Sequence, residues 1–139
     1  MNLLFGHSFC YNFWMLINQI SGEAIDSAMQ VHRELGPGLL ESVYEAALSI
    51  ELESRGLRVQ RQVPITVSYK NIELGVGFRI DILIETRVVI ELKSVEKMEK
   101  VFYKQLQTYL KLSDKRLGLL INFNVPLLKD GVTRIVNDL

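Results

Sequence analysis

The sequence predicts an α/β domain in which a mixed central sheet of about four to five strands is flanked by helices, as a hairpin, the helical segments around it and a buried strand indicate. Phe78 to Lys93, FRIDILIETRVVIELK, reads as two alternating, β-branched runs around Glu85-Thr86-Arg87, the pattern of a β-hairpin. Two segments of helical period precede it. A third helix follows, and then Arg116 to Phe123, RLGLLINF, a nearly continuous apolar run of the kind that forms a strand buried on both faces. Such a strand is most naturally added parallel to the sheet after the helical crossover.

The hairpin sets a register. Phe78, Ile80, Ile82 and Ile84 fall on one face by parity, as do Val88, Ile90 and Leu92 on the second strand. One apolar face across both strands requires Ile84 opposite Val88, Ile82 opposite Ile90 and Ile80 opposite Leu92, with a loop of three residues. Asp81 then lies across from Glu91, their Cβ atoms roughly 5 Å apart, and Lys93 follows on the same side. Carboxylates this close raise each other's pKa unless a positive charge lies between them. A divalent cation or the Lys93 ammonium meets that need. The plainer alternative is a solvated cross-strand salt-bridge cluster on the wet face of the sheet.

From Glu23 to Leu35, the residues Ala24, Ile25, Ala28, Val31 and Leu35 recur at helical spacing, with Ser21 as N-cap and Gly36-Pro37-Gly38 as a stop. His32 lies on this stripe, either as a core-edge histidine bonded to backbone or as a ligand or substrate contact. A second helix, Leu39 to Ser54, carries Leu40, Val43, Tyr44, Ala47, Leu48 and Leu52 on one arc and closes at Gly56. At about 100° per residue, Glu41 projects between Leu48 and Leu52, where a carboxylate is costly unless paired or coordinated. Glu45 projects further round, at the edge of the stripe, and reads as solvated surface.

Short extended runs follow, Leu57 to Arg61 and Val63 to Tyr69, then a Lys70-Asn71 turn and Ile72 to Val76. In the third helix Met98, Phe102, Gln105, Tyr109 and Leu112 form a line, flanked by Val101, Leu106 and Leu110, so Gln105 and Tyr109 are expected to face the core. Lys97, Lys100, Lys104 and Lys111 fall on its solvent side, where they meet phosphates or form an ordinary solvated face. Asn122, Asn124 and Pro126 mark a loop, and Val132 to Val136 is a last short strand or helix.

At 139 residues the chain suits one domain. With 16 basic and 16 acidic residues there is no global pull toward nucleic acid, and any such partner needs a local patch. The single cysteine, Cys10, excludes an internal disulfide and a cysteine-based zinc site and suits a reducing cytoplasm. The N-terminal MNLLFGHSFCYNFWMLI lacks a basic leader and a cleavage pattern and is short for a membrane span. Residues 1–20 read as an apolar extension to a domain over 21–139. The extension packs on the domain, forms a homodimer contact, or precedes a compact unit that starts near Met15.

Gly38-Leu39-Leu40-Glu41-Ser42-Val43-Tyr44 matches the signature of the GxxExxY proteins, small bacterial and archaeal members of the PD-(D/E)XK nuclease superfamily. The resemblance extends from about Ser21 to the C-terminus through VHRELGPGLLESVYE, RQVP, ELKSVE, QLQTYL and GLLINFNVPLLKDG. It implies a restriction-endonuclease-like core, an α-β-β-β-α-β order and a metal-dependent phosphodiesterase site. By the same resemblance Glu41 is the first acidic residue, Asp81 the metal-binding aspartate, Glu91 and Lys93 the (D/E)XK pair, and Gln105 and Tyr109 a QxxxY element. Where relatives often carry His-Glu-Ala before the glutamine, this chain has Phe102-Tyr103-Lys104.

These residues suit phosphodiester hydrolysis, which needs an activated water, neutralisation of phosphate charge and help for the departing oxygen. Asp81 and Glu91 supply hard oxygen ligands for Mg²⁺, for which Mn²⁺ substitutes, with Glu41 binding the metal through water or fixing its shell. Lys93 orients or deprotonates the water, and Gln105 and Tyr109 position Lys93 or the phosphate. Three functions fit: a Mg²⁺-dependent nuclease acting on DNA or RNA, a nucleic-acid- or protein-binding module that retains the fold, and a structural or oligomerising domain.

Overall fold

The computed structural model describes residues 15–138. Cys10 and most of the apolar extension, with the homodimer contact expected of it, lie outside the described residues.

Helix α1 (Ile17–Leu35) buries Ile20, Ala24, Ala28 and Val31, a stripe at spacings of three and four. It begins earlier than the sequence pattern suggested. Leu16 is the N-cap, its main-chain N–H held by Gln19 Oε1 at 2.9 Å. Ser21, expected as the cap, lies inside the helix, where its hydroxyl donates to Asn18 O at 3.2 Å. The reason is packing: Met15 and Ile20 join the core, so the apolar period starts ahead of residue 21. Gly36 ends the helix at φ 70°, a left-handed conformation that glycine adopts freely, and its N–H bonds His32 O.

Helix α2 (Glu41–Ser54) buries Tyr44, Leu48 and Leu52 as expected. It is turned so that Glu45 and Ser49 flank this row on the protein side, while Leu40 and Val43, expected within the stripe, are exposed.

Strands β1 (Val59–Tyr69), β2 (Ile72–Ile84), β3 (Val88–Lys93), β4 (Leu117–Asn122) and β5 (Val132–Val136) form one sheet in chain order. All neighbours are antiparallel except β3 and β4. Helix α3 (Lys100–Leu112) makes the crossover between that parallel pair. β4 is wholly buried, and residues 132–136 resolve as a strand after a short 3₁₀ turn, Leu128–Gly131. The β1–β2 connection is the expected two-residue turn, with Lys70 and Asn71 both at positive φ.

The central hairpin keeps the predicted register at Ile84–Val88 and Ile82–Ile90, and Arg87 N–H closes the loop on Ile84 O at 2.9 Å. The single apolar face, however, does not hold. Ile82, Ile84, Val88, Ile90 and Leu92 pack beneath α1 and α2, whereas Ile80, with Phe78 beside it, packs against Leu106 and Leu110 of α3 on the opposite side. Ile80 therefore does not face Leu92. The physical cause is a matched irregularity: the β1–β2 ladder runs without a slip from Val59–Ile84 to Thr66–Gly77 but omits the pair Gln62–Asp81. Gln62 has φ 50° there. Each strand rolls at that point, so Val59 serves one core, Val63 and Ile65 the other. Gly118 on β4 makes room for α3, since a Cβ there would lie 3.1 Å from the Leu106 side chain.

Candidate active site

The roll at Gln62 and Asp81 opens the sheet where the carboxylates sit. Beyond Ile82–Ile90 the strands β2 and β3 are joined through acidic side chains: Asp81 N–H donates to Glu91 Oε1 at 3.3 Å, and Leu92 N–H donates to Asp81 Oδ2 at 2.8 Å. The two acids expected to oppose one another across the hairpin are thus brought together. Burial, the Asp81 charge and, more weakly, Glu41 push the Glu91 carboxyl up to about 8, against which Lys93 acts in the opposite sense. Asp81 is raised as well, mainly by burial, then by Glu45 and Glu41, although its bonds from Leu92 and Gln62 pull the other way.

Lys93 does not bridge these acids. Its ammonium lies over the Phe102 ring, 4.3 Å from the centroid, a cation–π contact on the α3 side. Among the described residues it forms no ion pair, which removes the solvated salt-bridge cluster as a description of this site. The chain beyond Lys93 is pinned. Asn122, read from the sequence only as a loop marker, accepts from Val95 N–H at 3.1 Å and donates to Val95 O at 3.0 Å.

The stretch before α2 is held as firmly. The Tyr44 hydroxyl donates to Gly36 O at 2.5 Å and accepts from Leu39 N–H at 3.1 Å, while its ring stacks on Phe123 at 4.3 Å. Ser94 Oγ donates to Leu39 O at 2.6 Å, tying this turn to the exit of β3. Glu41, the first residue of α2, is thereby placed on a cavity of about 310 Å³ lined with Ser42, Glu45, Gln62, Asp81 and Leu92.

A family model described as the PD-(D/E)XK nuclease superfamily matches residues 18–135. The chain belongs to the PD-(D/E)XK nuclease superfamily. Its mixed five-stranded sheet flanked by three helices is consistent with that fold. No curated protein and no solved structure matches it.

PD-(D/E)XK nucleases generally use divalent metal ions. The residues here suit such an ion through two half-buried carboxylates, Asp81 and Glu91, that offer hard oxygens. Among the described residues no three of His, Cys, Asp and Glu converge as a ready ligand set. Glu41 lines the cavity without joining the other two, and it is exposed where the helical wheel had placed it inside the apolar stripe. The wheel erred because Glu41 belongs to the first turn, before the row of Tyr44, Leu48 and Leu52 meets the core.

Glu45, by contrast, is buried to 8% exposure, not solvated as expected. Its carboxylate takes Arg61 at 3.0 and 3.1 Å and Gln62 Nε2 at 2.5 Å. The only signal in the sequence was its place one turn after Glu41 and on the flank of the Tyr44 row. Gln105 was expected to face the core but is exposed, because Leu106 and Leu110 supply the buried stripe of α3. Tyr109 is half-buried, stacked on Phe78 at 3.9 Å, and its hydroxyl is held above its ordinary pKa by burial and by the Glu91 and Asp81 charges. Lys97, Lys100 and Lys104 are exposed. His32 Nε2 lies 2.9 Å from Val125 O, the backbone-bonded arrangement, outside the carboxylate cavity. No helix among the described residues is long and apolar enough to cross a membrane.

Proposed function

We propose that the chain is a divalent-metal-dependent nuclease of the GxxExxY type, hydrolysing phosphodiesters in DNA or RNA. The observation that supports this most directly is the interlocked pair Asp81–Glu91 with Lys93 two residues along β3, a pair of acids strongly biased against carrying two charges until a cation arrives. Asp81 and Glu91 would hold Mg²⁺, or Mn²⁺ in its place, with Glu41 at the mouth of the cavity as a further oxygen donor. A bound ion of this kind neutralises charge developing on the phosphate and makes water more acidic.

The remaining work falls to the chain. Lys93, lifted from Phe102, orients the attacking water and offsets phosphate charge. Tyr109 hydrogen-bonds the phosphate or Lys93, and exposed Gln105, one turn earlier, meets the substrate. Lys97, Lys100 and Lys104 supply the local basic patch that a neutral chain needs to hold nucleic acid.

The test is incubation of purified protein with single-stranded and duplex DNA and RNA in Mn²⁺. At least one polymer is cut, and Lys93→Ala loses cleavage while retaining its fold. Equal activity in Lys93→Ala would expose a contaminant. Salt-sensitive binding of a polymer without cleavage would assign the chain instead to nucleic-acid binding.

A further inference from the structure

Gln62 is the residue at which three features of the chain coincide. It is a non-glycine residue at φ 50° within an otherwise extended strand, a conformation that L side chains rarely adopt. It is one half of the pair missing from the β1–β2 ladder, and Asp81 is the other. Its side-chain nitrogen then donates to two carboxylates at once, Glu45 Oε1 at 2.5 Å and Asp81 Oδ1 at 3.4 Å. Strain in the backbone thus places one amide between the acid of α2 and the acid of β2.

The orientation of that amide follows from its neighbours, since an amide oxygen turned toward two carboxylates would be repelled by both. An amide donor is neutral. It satisfies lone pairs on Glu45 and Asp81 but removes none of their charge, and Arg61 is bonded to Glu45 alone. The position therefore has the donors a cation would replace and lacks the charge a cation would bring.

Resting on the metal-dependent reading above, we propose that Gln62 is a positioning residue that holds the metal-free cleft together and competes with the divalent cation for Asp81. The bond to Glu45 is short and anchors the amide, whereas the bond to Asp81 is long and is the one given up. Asp81, released from Gln62 but still fixed by Leu92 N–H, presents its carboxylate to the ion.

Calorimetric titration with Mn²⁺ and melting in EDTA and in Mn²⁺ test this on the full chain as wild type, Gln62→Ala and Gln62→Glu. Losing one hydrogen bond that competes with the ion is expected to tighten Mn²⁺ binding by about three- to tenfold in Gln62→Ala. Melting in EDTA falls, and the increment on adding Mn²⁺ grows. Gln62→Glu, which adds a carboxylate and removes the donor, tightens binding at least as much and serves if the alanine variant does not fold. A role confined to architecture would lower both melting temperatures together. Unchanged or weaker Mn²⁺ binding in the variants, with wild type still binding, would overturn the role of Gln62 and leave the nuclease reading standing. Absence of binding in wild type would overturn both.

Discussion

Asp81 and Glu91 are locked together through the main chain of each other's strand: Asp81 N–H reaches the Glu91 carboxylate at 3.3 Å, and the N–H of Leu92, next to Glu91, reaches the Asp81 carboxylate at 2.8 Å. Each acid occupies a place where a ladder bond would otherwise run. Both are therefore fixed before any ligand arrives, in a site where two negative charges repel.

A divalent cation held by this pair would relieve that repulsion only in the folded chain. Mg²⁺ or Mn²⁺ at about 100 times its dissociation constant is expected to add roughly 2.7 kcal/mol to stability. Asp81→Asn abolishes the shift. Equal shifts in the two proteins, read by thermal melting, would place the cation elsewhere.

The pH dependence follows from Glu91, which titrates at about 8 in the fold against an ordinary 4.5. Below the lower value the group is protonated in both folded and unfolded chains, and its favourable contribution is fully present. As pH rises through 8 the fold must bear a partly desolvated charge that the unfolded chain solvates fully, so that contribution is lost. In EDTA, wild type is expected to lose stability relative to Glu91→Gln between pH 5 and about 8. Urea unfolding at unit steps of pH measures the difference, and parallel curves would contradict it. At neutral pH Mn²⁺ binding should also release protons, seen as a dependence of the binding enthalpy on buffer.

Glu41 and Glu45, one turn apart, are expected to respond oppositely. Glu41 is exposed and forms no ion pair among the described residues, so Glu41→Gln changes metal-free stability by less than about 0.5 kcal/mol. Its Mn²⁺ binding weakens. Glu45→Gln loses the Arg61 ion pair and leaves its buried position poorly matched, at a cost of about 1–3 kcal/mol. Urea unfolding in EDTA that ranked the two the other way round would return Glu41 to the core.

Tyr44→Phe retains the stack on Phe123 and loses the two hydroxyl bonds to Gly36 and Leu39. The expected loss is about 1–2 kcal/mol, together with weaker Mn²⁺ binding, because the turn that places Glu41 is no longer held. A variant with the wild-type melting temperature and Mn²⁺ affinity would show that the hydroxyl does neither.

The sequence alone determined the order of elements, the hairpin register around Ile82 and Ile90, the parallel placement of β4 and the meeting of Asp81 with Glu91. Each rests on a local period, or on a hydrophobic pattern strong enough to admit one pairing. The tertiary structure decided the roll at Gln62, the opposite faces of Ile80 and Ile82, and the exchange of Glu41 for Glu45 as the buried acid of α2. It also turned Gln105 outward. A period describes where side chains point around an axis, but the rotation of α2 and α3 is set by what they meet across the sheet. The backbone at Gln62 leaves the extended region where its side chain meets Glu45 and Asp81, 17 residues before it and 19 after it, and no local period encodes contacts that distant in the chain.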